Sequence, residues 1–163
     1  MRYLLAFIFI LGFESFLNAQ SITVSGSWNP VVNSNIITEA GQDYPTGYAV
    51  ESAANQSSIN LTLGGGVFNV WFNGWRVDVQ RSDILWPSGL IIETRRSSNG
   101  TGSVFSSITG GTAYQQINTS SNSFFQGVGS FNNINVQYRI SGMSITTPVN
   151  TYSTSIIFTL IDN

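Results

Sequence analysis

One alternating run with a tight bend at its centre constrains this chain more than any other feature. Residues Val67 to Gln80 read VFNVWFNGWRVDVQ, and Asn73-Gly74 divides them into two arms. Asn-Gly accepts the positive φ of a type I′ turn, so the run predicts a β-hairpin. Such a turn fixes the register. Phe72 then faces Trp75, Val70 faces Val77 and Phe68 faces Val79, and all six side chains share one face. The other face collects Trp71 opposite Arg76, Asn69 opposite Asp78, and Val67 opposite Gln80. An apolar face backed by a largely polar one is the pattern of an antiparallel sheet with one side buried.

The rest of the chain repeats that logic in shorter pieces. Ile22, Val24, Gly26 and Trp28 alternate with polar residues until Asn29-Pro30. Val31 to Thr38 reads as a weaker strand, Glu39 to Tyr48 as a loop, and Ser58 to Leu63 as a strand ended by Gly64-Gly65-Gly66. Ser82 to Gly89 reads as a loop. Leu90 to Arg96 resumes strand character, and Asn99-Gly100 predicts a turn from which Ser103 to Ile108 returns. Ala113 to Ile117 and the Phe124-Phe125 region read as short strands. Ile134, Val136, Tyr138 and Ile140 alternate cleanly, and Thr154, Ile156, Phe158 and Leu160 line a last strand. No stretch after residue 19 has helical spacing. Many short strands separated by Gly and Asn turns predict an all-β, immunoglobulin-like antiparallel β-sandwich, with a jelly-roll or barrel as the alternative. With no internal repeat and no linker, residues 20–163 read as a single domain.

Composition narrows the chemistry. The chain has 163 residues, and only 9% are charged, with no histidine and no cysteine. That is far below the usual quarter, so Ser, Thr, Asn, Gln and Gly must carry the surface. Without His and Cys there is no route to a Ser-His triad, a thiolate nucleophile or a Cys/His zinc site. No Asp-x-Asp-x-Asp-Gly loop suggests calcium, so no metal and no cofactor is expected. Gly64 to Gly66 lacks the lysine and helix of a phosphate loop. The net charge of −2, with no basic stripe, makes nucleic acid a poor partner. The carboxylates nearest each other in sequence, Asp78, Asp83 and Glu93, have Arg76, Arg81 and Arg95 two residues away. Surface ion pairing accounts for that spacing without a glycosidase pair, and no enzyme is expected.

Residues 1–19 read as a secretory signal peptide: Arg2, an apolar run from Leu4 to Phe13, and a cut after Asn18-Ala19. Glu14 shortens the apolar run below a membrane span. The mature chain is therefore expected to lack a span and to be secreted, periplasmic or at the cell surface. The sequons at Asn55, Asn60, Asn99 and Asn118 would matter only in a glycosylating host.

Both ends of the mature chain resemble one family. Ile22-Thr23-Val24-Ser25-Gly26-Ser27-Trp28-Asn29-Pro30-Val31 is similar to the N-terminal stretch of alternate-class chaperone–usher pilins. Pro148-Val149-Asn150-Thr151-Tyr152-Ser153, leading into Ile156 to Leu160, resembles their final strand, an ending shared with spore-coat-U-like secreted proteins. The resemblance implies a structural or adhesive surface subunit that oligomerises with other protein subunits by donating residues 20–28 as a strand. The simpler reading keeps that segment as the first strand of its own sheet.

One further reading concerns surface glycans. Trp71 is expected on the polar face of the hairpin, where it could stack on a sugar while Asn69, Arg76 and Asp78 bond its hydroxyls. A covering loop, or Arg76 lying on the indole, would explain the same residues without a ligand. Trp86 and Tyr114 are additional aromatic candidates.

Overall fold

The computed structural model describes residues 20–64 and 74–162. The expected signal peptide lies outside them, as do the first arm of the hairpin and two of its site residues, Asn69 and Trp71. Among the described residues the strands are β1 (Ser21–Ser25), β2 (Ala49–Glu51), β3 (Ser57–Thr62), β4 (Gly74–Leu85), β5 (Ile91–Arg96), β6 (Thr101–Gly102), β7 (Ser107–Gly110), β8 (Gln115–Gln116), β9 (Asn122–Val128), β10 (Phe131–Ser141) and β11 (Ser153–Asp162). No helix among them is long and apolar enough to cross a membrane.

The strands form two antiparallel sheets packed as a β-sandwich, as the alternation predicts. The larger sheet runs β1-β3-β10-β5-β8, with β2 and β6 pairing the two ends of β10, and the smaller runs β11-β4-β9-β7. In the larger sheet β3 pairs β10, while the next described strand, β4, pairs β9 in the smaller one.

The alternation in β4 does what the sequence requires of it. Trp75, Val77 and Val79 are buried and sit in the core with Ile59 and Leu61 of β3, Phe125 of β9, and Ile134 and Val136 of β10. Trp75 meets Phe125 and Phe131 edge to face, each with ring centroids 5.9 Å apart, a favoured aromatic geometry. Its indole N–H donates to the Gly129 carbonyl at 2.8 Å. On β11, Phe158 is buried, with Ile156 and Leu160 packed against the core beside it.

The expected hairpin pairing is corrected. Trp75 is opposite Gly127 on β9 and Asp162 on β11, and Val79 is opposite Asn122 and Phe158. Both hydrogen-bonding edges of Trp75–Val79 are thus taken by β9 and β11; Phe68, Val70 and Phe72 lie outside the described residues. Asn-Gly propensity specifies a local bend but cannot compete with two long neighbouring strands.

Smaller departures have local causes. Residues 31–38 hold a single 3-10 turn, Ser34–Ile36, because the Asn33 side chain caps it by accepting from Asn35 N–H. Residues 82–85 extend β4 instead of looping, since β11 pairs them as far as Leu85. After the Asn99-Gly100 turn the chain does not return along β5. β6 pairs β10 at Phe131–Asn132, and β7 crosses to β9 in the other sheet.

Candidate functional site

Of the anticipated sugar-binding residues, the two described ones, Arg76 and Asp78, bond each other. Arg76 and Asp78 lie on the outer face of β4, alternating with its core residues. Arg76 Nε donates to Asp78 Oδ1 at 2.7 Å, and Ser121 Oγ donates to Asp78 Oδ2 at 3.3 Å. Asp78 is buried. Each group therefore satisfies the other, which is the ion-pair reading of these residues.

The carboxylates do not converge. Asp78 is on the outer face of the smaller sheet. Glu93 alternates with buried Ile92 and Thr94, so it is on the outer face of the larger one. The whole core separates the two, which removes them as a catalytic pair. Arg81 does pair with Asp83, at 3.1 Å. Glu93 pairs with Arg139, its cross-strand partner on β10, and not with Arg95. Position opposite in a ladder brings the two closer than position two along the strand.

Arg95 instead donates to Gln137 Oε1 at 2.9 Å. Its guanidinium and that of Arg139 lie 4.8 and 4.1 Å from the centroid of the Tyr114 ring. Tyr114 is thus held over the larger sheet by cation–π contacts. Burial pushes its hydroxyl pKa up, the Glu51 charge adds to the rise, and Arg95 opposes it. Among the described residues no three His, Cys, Asp or Glu side chains group to hold a metal ion.

A cleft without charged lining lies elsewhere. The sandwich opens between β1, an edge of the larger sheet, and β11, an edge of the smaller. A cleft of about 940 Å³ forms there. Ile92, Tyr138, Ile140, Ile156 and Phe158 form its interior, and Trp28, Val31, Trp86, Met143, Val149 and Tyr152 border it. None of the side chains lining it is charged. Such a surface favours a neutral, apolar or aromatic occupant, because an ion would lose hydration with nothing to replace it.

Local structure explains how the rim is held. Gly26 ends β1 with φ 110°, and a Cβ there would meet Gln56 O at 2.4 Å, so only glycine lets the chain turn toward the cleft. Trp28 follows and stacks on Tyr138 at 6.2 Å between centroids, with an interplanar angle of 18°. Trp86 is fixed by its N–H, which donates to Leu90 O at 2.8 Å. On the far rim, Asp43 accepts from Tyr44 N–H at 2.8 Å, Ser144 Oγ at 2.7 Å and Ile145 N–H at 2.9 Å. The first of these causes, the Ser144 hydroxyl, with the two backbone donors, holds the Asp43 carboxyl below the usual carboxylate range. Tyr152 donates its hydroxyl to the Pro148 carbonyl, closing the turn that carries Val149.

Sequence reasoning placed Trp86 among the aromatic candidates but assigned no cleft. Trp28 was expected within an alternating strand, and Val31 and Val149 had no site role. Their signal was present: apolar residues beside Pro30 and Pro148, in loops where burial by sheet alternation is impossible. No protein-family model, no curated protein and no solved structure matches this chain.

Proposed function

We propose that this protein is a secreted or surface-exposed, non-enzymatic structural or adhesive subunit that associates with other subunits. The observation that carries this reading is the condition of β1. Among the described residues it pairs only with β3, from Ser21↔Thr62 to Ser25↔Ser58, and none of them pairs its other edge. Of its side chains only Ile22 is half-buried, and Val24 is 44% exposed. An N-terminal edge strand that contributes backbone bonds but little core can be exchanged at low cost. The β3 ladder it leaves is remade by the same strand of a neighbour. The N-terminal leader and the pilin-like ends support the same reading.

Sedimentation of the purified protein over a concentration series tests it. Association that grows with concentration and is lost in a chain lacking residues 20–28 is expected. A protein that stays monomeric throughout removes the reading. Association unchanged by that deletion removes strand donation.

A second reading, binding of surface glycans, is favoured by the uncharged aromatic cleft more than by the Arg76–Asp78 face. A glycan array read with Trp28→Ala and Trp71→Ala variants separates the two positions. Binding insensitive to both changes disposes of it.

A further inference from the structure

The cleft between β1 and β11 is lined by two kinds of side chain that one class of ligand uses together. The first kind is aromatic, and the protein holds each ring in place. Trp28 stacks on Tyr138, which takes one of its faces, and it stays half-buried. Tyr44 stacks on Tyr48 with 5.5 Å between centroids and 16° between planes. The Arg81 guanidinium, which does not line the cleft, lies 5.7 Å from the centroid of the Trp86 ring. The polar ends of two rings are already engaged: the Trp86 N–H donates to Leu90 O, and the Tyr152 hydroxyl to Pro148 O. Those two residues therefore offer a ligand an apolar ring and little else.

The second kind is polar and unengaged. Asn29 and Thr151 line the cleft and are exposed, and neither side chain bonds to any of the described residues. Asn150 accepts from Thr151 N–H through Oδ1, and its amide NH2 has no partner among the described residues.

Together these groups discriminate between ligand classes. A wholly apolar occupant would cover the Asn and Thr side chains without giving them a partner, at a cost for each. A charged occupant would lose hydration against a lining that holds no charge. An anion would also meet the Asp43 carboxylate, which is bonded to the lining residue Ser144. A sugar ring suits both kinds of side chain. Its C–H face is apolar and packs on an aromatic ring, while its hydroxyls project from the edge, where amides and hydroxyls can bond them. The volume of about 940 Å³ lies near the top of the roughly 300–1,000 Å³ of small-molecule sites, which is room for more than one sugar ring.

We infer that the cleft between β1 and β11 binds a short, uncharged oligosaccharide, its rings laid against Trp28, Tyr44, Trp86 and Tyr152 and its hydroxyls bonded by Asn29, Asn150 and Thr151. This rests on the glycan-binding reading above and names the ligand class and the residues that select it.

The experiment scores the whole protein on an array of neutral, sialylated and sulfated glycans. The strongest neutral binder and its constituent monosaccharide are then titrated by calorimetry into wild type, Trp28→Ala and Asn29→Ala, each checked for native circular dichroism. Neutral glycans of two or more rings are expected to bind, more tightly than the monosaccharide, and charged ones to bind weakly or not at all. Trp28→Ala is expected to weaken binding roughly thirtyfold or more, the loss typical of removing an aromatic anchor. Asn29→Ala is expected to weaken it about two- to tenfold, the range for one neutral hydrogen bond. If Trp28→Ala loses its native spectrum, Asn29→Ala decides alone, because Asn29 is exposed and outside the core. Charged glycans binding as well as neutral ones, the monosaccharide binding as well as the longer chain, or affinity unchanged by the variants would each overturn the inference and leave glycan binding standing. If no glycan of any class binds, both fall.

Discussion

Asp43 shows how one exposed carboxylate can organise the rim of a cleft. It has no burial to exploit, yet three donors from Tyr44, Ser144 and Ile145 converge on it and tie residues 39–48 to the 143–147 turn. Those donors favour the charged form, so its folded-state pKa is depressed. The unfolded chain then binds the proton more readily than the folded one. The tie is accordingly present above the ordinary aspartate range and is lost as pH falls through the depressed value. An NMR titration of the Asp43 carboxyl carbon is expected to show a midpoint below that of an unstructured aspartate, with the Ser144 and Ile145 signals moving at the same pH. A midpoint at or above the ordinary value would contradict the geometry. Arg96 makes the opposite case: it is buried, and its guanidinium donates to the Gly110 and Ser98 carbonyls, with no carboxylate partner among the described residues. Burial lowers its pKa. It pins the loops beyond β5, where the sequence signals only a turn.

At the scale of the strand, β9 is shaped by its neighbour. Trp75 is the largest side chain fully buried in the core, and its cross-strand partner on β9 is Gly127. A Cβ at Gly127 would stand 2.8 Å from the indole and 2.2 Å from the Ser107 carbonyl of β7. Glycine is thus required by packing from both sides and not by turn geometry. Gly127→Ala is expected to destabilise the fold by about 1–3 kcal/mol, the range for overpacking, measured by urea denaturation. Adding Trp75→Phe should not restore stability, because the Ser107 clash is with backbone. Recovery in the double variant would show that the indole alone sets the constraint. β10 shows a different control. Asn133 has φ 57°, and the register with β3 shifts between Phe131 and Ile134. The clean alternation from Ile134 onward therefore begins after this bulge, which re-aims Phe131 into the core.

Across the whole molecule, the pairings that matter join distant parts of the chain: β3 with β10, β4 with β9 and β11, β1 with β3. Topology of this kind makes folding slow, because long loops must close before contacts reward them. Stopped-flow refolding followed by tryptophan fluorescence is expected to give a main phase in roughly the millisecond-to-second range. A microsecond phase carrying the full amplitude would contradict this connectivity. The same topology leaves an edge of each sheet, β1 and β11, beside the cleft. Native sandwiches usually protect such edges with charge. Here the side chains lining the cleft are uncharged, and Asp43 is the charge beside its rim.

The sequence by itself determined the two-sided strands. Period-two alternation showed which side chains of β3, β4, β10 and β11 face inward, because a side chain's face depends only on its place along its own strand. It also determined what chemistry is ruled out of reach, since a chain without His or Cys cannot build sites that need them. Only the tertiary structure decided which strands are neighbours. It placed β9 and β11 on the two edges where a local hairpin arm was expected, and Arg139 beside Glu93. It also gathered Trp28, Tyr138, Trp86 and Val149, far apart in sequence, around one opening. Partners across a sheet are chosen by competition among all strands for the same hydrogen-bonding edges and the same core, and no local stretch contains the terms of that competition.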